Sequence, residues 1–450
     1  MKQPKMKRAE NLKEMLKVFT PEPLEDENLQ EFYYKDTMKN RMGSPVKSPI
    51  KRLFSSCTSI SNRNAHLFLG HKGCGKSTEL NNLKQEFEEA GHPVHMVHAN
   101  MERDLHRINH WDLMLLITEG LSQIAYDNDI PIPSAILENI YDILVREIKV
   151  TETTSASDTK EFKAGGKIKI PLYFIKTFAS LGGSLKAGSE MRVVVTNTMD
   201  RRARDWQIYM IEISDCIREK LNGKQPIIIF EDLDMLPYPE KIFELLSYSV
   251  LSQMPFPIIY TFPISQCYSP KYPAIRASYT AHTLPMIKVA DLKDRSEDTE
   301  GIKALRDIVE KRADLSLFCE AKDALNLLIR KTGGSLRHLF DSINYAAQLA
   351  DWRGATKIEH EDAIDALSEL RKELTRIVIK PMFDDLANIY NDADIRRQID
   401  DKDFLLNMTH ALVVLEYENG DRWHDLHPLI ADYLDTINVI KIKELQTDEK

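Results

Sequence analysis

Residues 70–77 read Gly-His-Lys-Gly-Cys-Gly-Lys-Ser, the G-x-x-x-x-G-K-S pattern of a phosphate-binding loop. In such a loop the backbone N–H groups and the following helix N-terminus surround the phosphates. Lys76 is expected to reach the terminal phosphates, and the Ser77 hydroxyl is expected to bind Mg²⁺. The pattern therefore predicts ATP and Mg²⁺ as cofactors, with phosphate contacts from Gly70, His71, Lys72, Gly73, Cys74, Gly75, Lys76, Ser77 and Thr78.

The segments on either side of the loop have the required structure. Residues 65–69 are an apolar run typical of a buried strand. Residues 77–90 place Leu80, Leu83 and Phe87 on one helical face. A strand followed by the loop and a helix is the arrangement in which this motif binds nucleotide, and it disfavours an ordinary glycine-rich turn.

Composition limits the class of protein. The chain of 450 residues is long enough for two or three domains, and its net charge of -9 argues against a surface covered by nucleic acid or anionic membrane. Its five cysteines are far apart in the sequence, which indicates a reducing, cytoplasmic setting. The longest apolar runs, 226–230 and 256–264, are far shorter than the roughly 20 residues of a membrane-spanning helix. No membrane partner is expected.

Residues 1–64 form a basic N-terminal lead-in that precedes the nucleotide core. At its start, Lys2, Lys5, Lys7, Arg8, Lys13 and Lys17 outnumber Glu10 and Glu14. A charge run of this kind more often forms a solvated face than a binding site, so a solvated helix packed on the next domain is expected there. A nucleic-acid or membrane arm is the alternative. The basic residues that support a nucleic-acid arm are Lys35, Lys39, Arg41, Lys47, Lys51, Arg52 and Arg63.

Beyond a second strand at 93–99, helices are expected at 112–125 and 136–150. Residues 151–160 are rich in Ser and Thr and are not expected to be ordered on their own. Glycines and short β-prone runs between 161 and 196 predict a β-hairpin insertion. Two uses of this insertion stay open, a variable surface excursion and a contact surface for another subunit or an effector.

The acidic half of the site is predicted at residues 227–234, where an apolar strand ends in clustered carboxylates. A buried strand that delivers carboxylates at its C-terminal end can hold Mg²⁺ and polarise the attacking water. We assign Glu231 to the metal and Asp232 to water activation, with both carboxylates and Ser77 near the ion. A further strand at 254–261 ends in Thr261, whose hydroxyl either orients water or satisfies the backbone.

Four segments in this order resemble bacterial AAA+/STAND-type P-loop ATPases related to the origin-recognition initiators, over roughly residues 30–435. They are GHKGCGKSTEL, IIIFEDLD, IIYTFPIS and TGGSLRHL, the last at 332–339. The resemblance implies an α/β fold with a three-layer core, a helical lid bundle and a C-terminal winged helix. It also implies that Arg337 contacts the γ-phosphate and that Arg276 acts in trans on a neighbouring subunit of an ATP-dependent homo-oligomer.

The expected division is a lead-in at 1–64, an ATPase core at 65–290 with the β-hairpin insertion at 151–200, a helical lid at 291–370 and a winged helix at 371–450. The acidic strand departs from the family pattern, which usually ends Asp-Asp or Asp-Glu, because this chain has Glu231-Asp232. Two consequences stay open: the metal ligand and the catalytic carboxylate exchange places, or turnover is slow.

The last 80 residues bear on DNA binding. Residues 371–450 contain 11 basic and 17 acidic residues, and the expected wing carries Glu416, Glu418 and Asp421 against Arg422. DNA-binding modules need lysine and arginine on the recognition helix and wing. Nucleic-acid contact through this module is therefore disfavoured, and a protein contact or an autoinhibitory dock is preferred.

Together these features predict an ATP-binding and ATP-hydrolysing regulatory switch that controls a separate effector protein. The resemblance suggests bacterial phage defence as the setting. A DNA-binding initiator or transposition regulator is the first alternative, supported by the basic lead-in. A non-hydrolysing nucleotide-binding scaffold is the second, supported by the Glu231-Asp232 departure.

Overall fold

The fold is given by a computed structural model that describes residues 4–442 except 36, 43–47, 60–62, 151–165, 188 and 321–322. The Ser/Thr-rich segment 151–160 lies outside the described residues. The chain begins with four short helices, α1 Leu12–Val18, α2 Asp26–Phe32, α3 Thr37–Met42 and α4 Pro49–Thr58.

A five-stranded parallel sheet forms the centre of the molecule. Its elements and their connections are β1 Ala65–Gly70, α5 Lys76–Glu89, β2 Val94–His98, α6 Ala99–Glu102, α7 His110–Asp127, β3 Ile132–Pro133, α8 Ser134–Asp142, β4 Lys167–Ile168, α9 Leu172–Ala187, α10 Ser189–Lys220, β5 Ile227–Glu231, α11 Lys241–Leu246, α12 Ser249–Ser252, β6 Ile258–Pro263, α13 Tyr272–Ser278 and β7 Thr280–Thr283. The strand order is β2-β5-β6-β1-β7, and β3 and β4 form a separate two-stranded sheet.

Helices cover both faces of this sheet. Every residue of β1, β5 and β6 is buried, as expected for parallel strands between two helical layers. Alternate residues of β5 enter two different hydrophobic clusters, Ile227 and Ile229 on one face and Ile228 and Phe230 on the other. The expected α/β core with a parallel sheet is confirmed.

The predicted β-hairpin insertion is wrong. Apart from the two-residue strand β4 and the few residues next to it, the described part of this segment is helical, in α9 and α10. Helical spacing explains the result, because Phe174, Phe178, Leu181 and Leu185 recur every three or four residues along α9 and are all buried. The valines and glycines that suggested strands are tolerated because this buried apolar stripe outweighs local propensity.

A helical bundle and a C-terminal part with a β-hairpin follow the sheet along the chain. The helical bundle consists of α14 Thr299–Arg312, α15 Ala324–Lys331, α16 Leu336–Trp352 and α17 His360–Thr375. The C-terminal part of the chain consists of α18 Phe383–Asn391, α19 Ala393–Arg397, α20 Lys402–His410, β8 Val414–Asn419, β9 Asp421–Leu426 and α21 Pro428–Thr436. Strands β8 and β9 form an antiparallel hairpin around Gly420, whose φ is 84°. Within the described ranges no helix is long and apolar enough to cross a membrane.

The lead-in packs on the bundle as well as on the sheet core. Phe19 meets Phe340 of α16 edge-on, with ring centroids 5.6 Å apart. Asn344 of α16 donates to the carbonyls of Leu16 and Phe19. The first helix is therefore anchored against α16.

Candidate nucleotide-binding site

The loop between β1 and α5 has backbone geometry that only glycine adopts easily. Gly73 and Gly75 have φ angles of 79° and 100°, in the left-handed region. A Cβ at Gly73 would lie 2.5 Å from the Cβ of Arg337. The glycines of the motif therefore serve both the turn and the close approach of α16.

Lys76, the first residue of α5, is buried at the centre of the loop. Its Nζ lies 3.0 Å from the carbonyl oxygen of Gly70, 2.9 Å from that of His71 and 2.8 Å from Oδ2 of Asp234. Burial works to lower the pKa of Lys76, but the attraction of Asp234 outweighs it and the pKa is raised. Lys76 therefore stays charged, and Asp234, to which the sequence analysis gave no role, is its counter-ion.

Glu231 ends β5 opposite the loop. Burial raises the pKa of its carboxyl group to about 8, although the nearby Ser77 hydroxyl opposes the shift. Nδ1 of His98, at the end of the neighbouring strand β2, lies 3.4 Å from Oε2 of Glu231. The adjacent ends of two parallel strands thus bring an imidazole to the carboxylate, a contact that the sequence analysis missed.

Asp232 and Thr261 shape the turn that follows β5. Asp232 has a left-handed φ of 68°, and Leu233–Met235 form a single 3-10 turn. Oγ1 of Thr261 accepts a hydrogen bond of 3.0 Å from the Leu233 N–H. Of the two uses left open for Thr261, the backbone contact is the one observed. Burial also raises the pKa of Asp232, although His98 acts in the opposite direction.

The oxygen atoms at this edge fit a magnesium ion. Mg²⁺ prefers carboxylate, hydroxyl and water oxygens, which Ser77, Glu231 and Asp232 would supply. Oε1 of Glu231 is buried and has no hydrogen-bond partner among the described residues, so it has a vacant acceptor site. No cluster of three or more His, Cys, Asp or Glu side chains in the described ranges forms a preorganised metal site. Any ion held here would need phosphate or water oxygens as further ligands.

Arg337 lies against the loop from the other side. Its backbone N–H donates a hydrogen bond of 3.3 Å to the carbonyl of Gly73, and its Nε is buried without a partner among the described residues. Ser335 caps α16 through its side chain, and Gly333 and Gly334 before it both have positive φ. The turn at 332–335 therefore places Arg337 next to the phosphate loop.

The lead-in contributes residues that the sequence analysis did not place in the site. Arg41 is only 1% exposed, and its Nη2 donates a hydrogen bond of 2.7 Å to the carbonyl of Cys74. Its Nη1 donates to the carbonyl of Pro285. Tyr33 donates to Glu79 of α5 at 2.7 Å, and the Thr78 hydroxyl accepts from the Leu24 N–H at 3.3 Å.

These contacts correct one expectation about the basic lead-in. Arg41 was counted among the cations available to nucleic acid, but it is inside the protein. A buried guanidinium needs nearby acceptors, and the phosphate loop provides one of them. Any nucleic-acid contact by this segment would have to use other side chains.

The β8–β9 hairpin also reaches the loop. The Glu416 N–H donates a hydrogen bond of 2.7 Å to Nε2 of His71. Tyr268, after β6, donates to the Glu416 carboxylate and lies 2.8 Å from Nε2 of His424. Burial would raise the pKa of Glu416, but its bonds with His424 and Tyr268 outweigh burial and the pKa is lowered.

Glu416 was counted among the acidic residues of the expected wing, and it is only 4% exposed. His71 is also buried, which lowers its pKa to about 4 and keeps its ring neutral near pH 7. A neutral ring can accept the hydrogen bond from Glu416 N–H. The C-terminal part is therefore joined directly to the phosphate loop.

Arg276 is the predicted site residue that does not reach this site within the chain. It is exposed on α13, and its Nη1 donates to the carbonyl of Tyr279. The trans role stays a prediction, since it requires a second copy of the chain.

A scan of protein-family models and a search of curated proteins found no match. Solved structures similar to this chain include the Aeropyrum pernix ORC1 protein in complex with DNA, at 12% identity, 94% coverage of this chain, 97% coverage of that chain and a TM-score of 0.40. Drosophila ORC bound to DNA gives 9% identity, 98% and 95% coverage and a TM-score of 0.39. CDC6P from Pyrobaculum aerophilum gives 12% identity, 94% and 97% coverage and a TM-score of 0.35. Likenesses of this strength leave the function to be argued from the residues of the site.

Proposed function

We propose that this protein is an ATP-binding and ATP-hydrolysing switch in which the C-terminal residues 371–450 respond to the state of the phosphate loop. The observation that carries the proposal is the hydrogen bond from Glu416 N–H to His71 Nε2. His71 is one of the loop residues expected to contact phosphate. A change of the loop around a nucleotide would therefore act on the hairpin without an intermediary.

The chemistry assigned to the site follows from its donors and acceptors. The loop N–H groups and Lys76 bind the phosphates, and Ser77 with Glu231 holds Mg²⁺, which supplies charge neutralisation at the phosphate oxygens. Asp232 orients and polarises the attacking water. Arg337 lies on the far side of the loop, where its guanidinium is available to the terminal phosphate.

Each part of the chain has its own role in this switch. Residues 291–370 act as a lid that carries Arg337, and residues 371–450 act as a winged-helix module formed by α18–α20 and the β8–β9 hairpin. The module is acidic and its buried Glu416 is engaged with Tyr268 and His424. The module therefore acts on a separate protein effector rather than on DNA. The active assembly is an oligomer that uses Arg276.

The experiment is hydrogen–deuterium exchange of the full chain with and without Mg²⁺ and ATP, with binding measured separately by calorimetry. Binding of ATP and altered exchange at residues 414–426 are expected. Lys76→Ala is the control, because it removes the cationic contact with the phosphates and should abolish both signals. If the wild-type chain binds no ATP, or binds it with no change in the hairpin, the switch proposal is wrong.

A second candidate is an ATP-dependent DNA-binding initiator or transposition regulator. Residues 167–208 carry 8 basic and 3 acidic residues, and Lys176, Arg201 and Arg204 are exposed. The DNA-bound structures named above match this candidate better than the effector switch, but TM-scores of 0.40 and 0.39 do not decide between the two. The exposed basic residues of α9 and of the first half of α10 are the observation that favours it.

Binding to a short duplex at two salt concentrations tests this candidate. Contact through phosphates would be independent of sequence, would weaken steeply as salt rises and would be lost in a Lys176→Glu, Arg201→Glu, Arg204→Glu variant. No binding at low salt, in the presence of ATP, would remove the candidate.

A further inference from the structure

The ion pair between Asp234 and Lys76 occupies the point where the loop lysine would meet a nucleotide. Asp234 Oδ2 is 2.8 Å from Lys76 Nζ, and the two side chains are 9% and 5% exposed. A lysine ammonium has three N–H donors. With Gly70 and His71 as the other two partners, all three donors of Lys76 have acceptors within the protein.

The turn after β5 fixes the position of Asp234. The left-handed Asp232 reverses the chain, and the Met235 N–H closes the turn on the Asp232 carbonyl at 2.9 Å. The Thr261 hydroxyl holds the Leu233 N–H from the neighbouring strand. These contacts place Asp234 over the loop.

A phosphate can bind Lys76 only if one of its three present acceptors leaves. Two of them are backbone carbonyls of the loop itself. The third is a carboxylate on a side chain, which can rotate away, and it carries the same sign of charge as a phosphate. Asp234 is therefore the acceptor that an incoming phosphate would displace.

We propose that Asp234 is a positioning residue that occupies the phosphate-binding face of Lys76 in the nucleotide-free protein and is exchanged for a phosphate oxygen when nucleotide binds. This inference rests on the proposed nucleotide binding and adds how Lys76 is held before nucleotide binds. In the exchange one hydrogen bond of Lys76 to a carboxylate is replaced by one to phosphate, and no covalent bond changes. Asp234 thereby keeps the lysine charged and ordered. It also lowers the affinity for nucleotide, because a phosphate must displace it.

The test is Asp234→Asn in the full chain, because asparagine keeps the size of the side chain and removes its charge. ADP and ATP are titrated by calorimetry, with Mg²⁺ and again with EDTA. We expect at least about tenfold tighter binding of both nucleotides in both conditions, since one opposing charge at close range is worth on the order of a tenfold change or more. Unchanged affinity would overturn the proposal. A loss of affinity confined to the Mg²⁺ titrations would also overturn it, because Asp234 would then be a metal ligand.

A matched control is available in a second lysine–aspartate pair, in which Lys288 Nζ lies 2.9 Å from Oδ2 of the half-buried Asp298. Asp298→Asn should lower the melting temperature without tightening nucleotide binding. Tighter binding in that variant would mean that the effect is not specific to Asp234.

A second measurement keeps the test decisive if Asp234→Asn is unstable. Loss of the counter-ion should lower the melting temperature of the nucleotide-free protein, and saturating ADP should raise it by more than in the wild type. An equal or smaller increase would count against the proposal. A wild-type chain that binds neither nucleotide would instead refute the proposed function, so the two failures are distinguishable.

Discussion

Arg41 Nη2 donates a hydrogen bond of 2.7 Å to the carbonyl oxygen of Cys74, so the N-terminal lead-in is bound to the phosphate loop. The same guanidinium also donates to the Pro285 carbonyl, between β7 and α14. One buried cation therefore ties together three segments that are distant in sequence. The loop in turn depends on residues well outside its own motif.

The first prediction concerns this cation. Arg41→Met should weaken nucleotide binding about tenfold or more, because hydrogen bonds from a charged donor are worth about 1.5–3 kcal/mol and the Cys74 carbonyl would lose its partner. Calorimetry with ADP at a temperature where the variant is folded measures the effect. Arg312→Met is the control, because Arg312 is also buried, beneath the Phe340 ring, but does not contact the loop. Equal effects on affinity in the two variants would contradict a specific role for Arg41.

The second prediction separates the two carboxylates. Asp232→Asn should leave ATP binding intact and reduce hydrolysis by about 10²-fold or more, because an amide cannot polarise water as a carboxylate does. Glu231→Gln should instead weaken the Mg²⁺-dependent part of ATP binding. Steady-state turnover and titrations with and without Mg²⁺ measure both. Tight ATP binding without turnover in Glu231→Gln would reverse the two roles.

The third prediction concerns assembly. Arg276 is exposed on α13 and its Nη1 donates to the Tyr279 carbonyl, so the proposed role in catalysis uses a neighbouring copy. We expect ATP-dependent self-association, and Arg276→Ala should lower turnover by roughly 10³-fold, as for other arginines that act in trans, while leaving ATP affinity nearly unchanged. Light scattering and turnover at several protein concentrations measure this, with the exposed Arg397→Ala as a surface control. Normal hydrolysis by a dilute monomer would remove Arg276 from the site.

The fourth prediction concerns acid stability. His66 of β1 and His282 of β7 share a buried contact of 3.4 Å, and burial lowers their pKa values to about 4 and about 3. Because these values lie below the ordinary histidine pKa of about 6.5, the stabilising contribution is complete above pH 6.5 and is lost as the pH falls toward 4. The melting temperature should decrease across that interval.

His66→Asn should reduce this acid sensitivity, because asparagine takes up no proton there. The exposed His106→Asn is the control and should follow the wild-type profile. If the melting temperatures of all three proteins fall by the same amount between pH 7 and pH 4, the assignment to His66 is wrong.

Features set by neighbouring residues were predictable from the sequence. The strand at 227–230 and the phosphate loop can be recognised from adjacent residues alone. Because parallel strands bring their carboxyl ends to one edge of the sheet, their meeting at the site was also predictable. The helices α9 and α10 were missed because valine and glycine carry β and turn propensity. Burial of their helical stripes against α7 decides the outcome, and that partner is not visible in a local window.

The missing parts of the site are contacts between distant positions. Arg41 does not differ in local context from an ordinary surface charge, and Asp234 is one of three clustered acids whose roles local context does not separate. Their burial depends on how the lead-in and the turn after β5 pack on the loop. The burial of Glu416 could not be predicted for the same reason, because His71, to which its N–H donates, is 345 positions away.

That separation also has a consequence for biosynthesis. At about 5–20 residues per second, a ribosome takes on the order of tens of seconds to extend the chain from His71 to Glu416. During this time the nascent sheet and phosphate loop can form, but the Glu416 N–H that donates a hydrogen bond to the His71 ring has not yet been synthesised. A nascent or prematurely terminated chain would therefore expose a nucleotide-binding loop that lacks its C-terminal restraint.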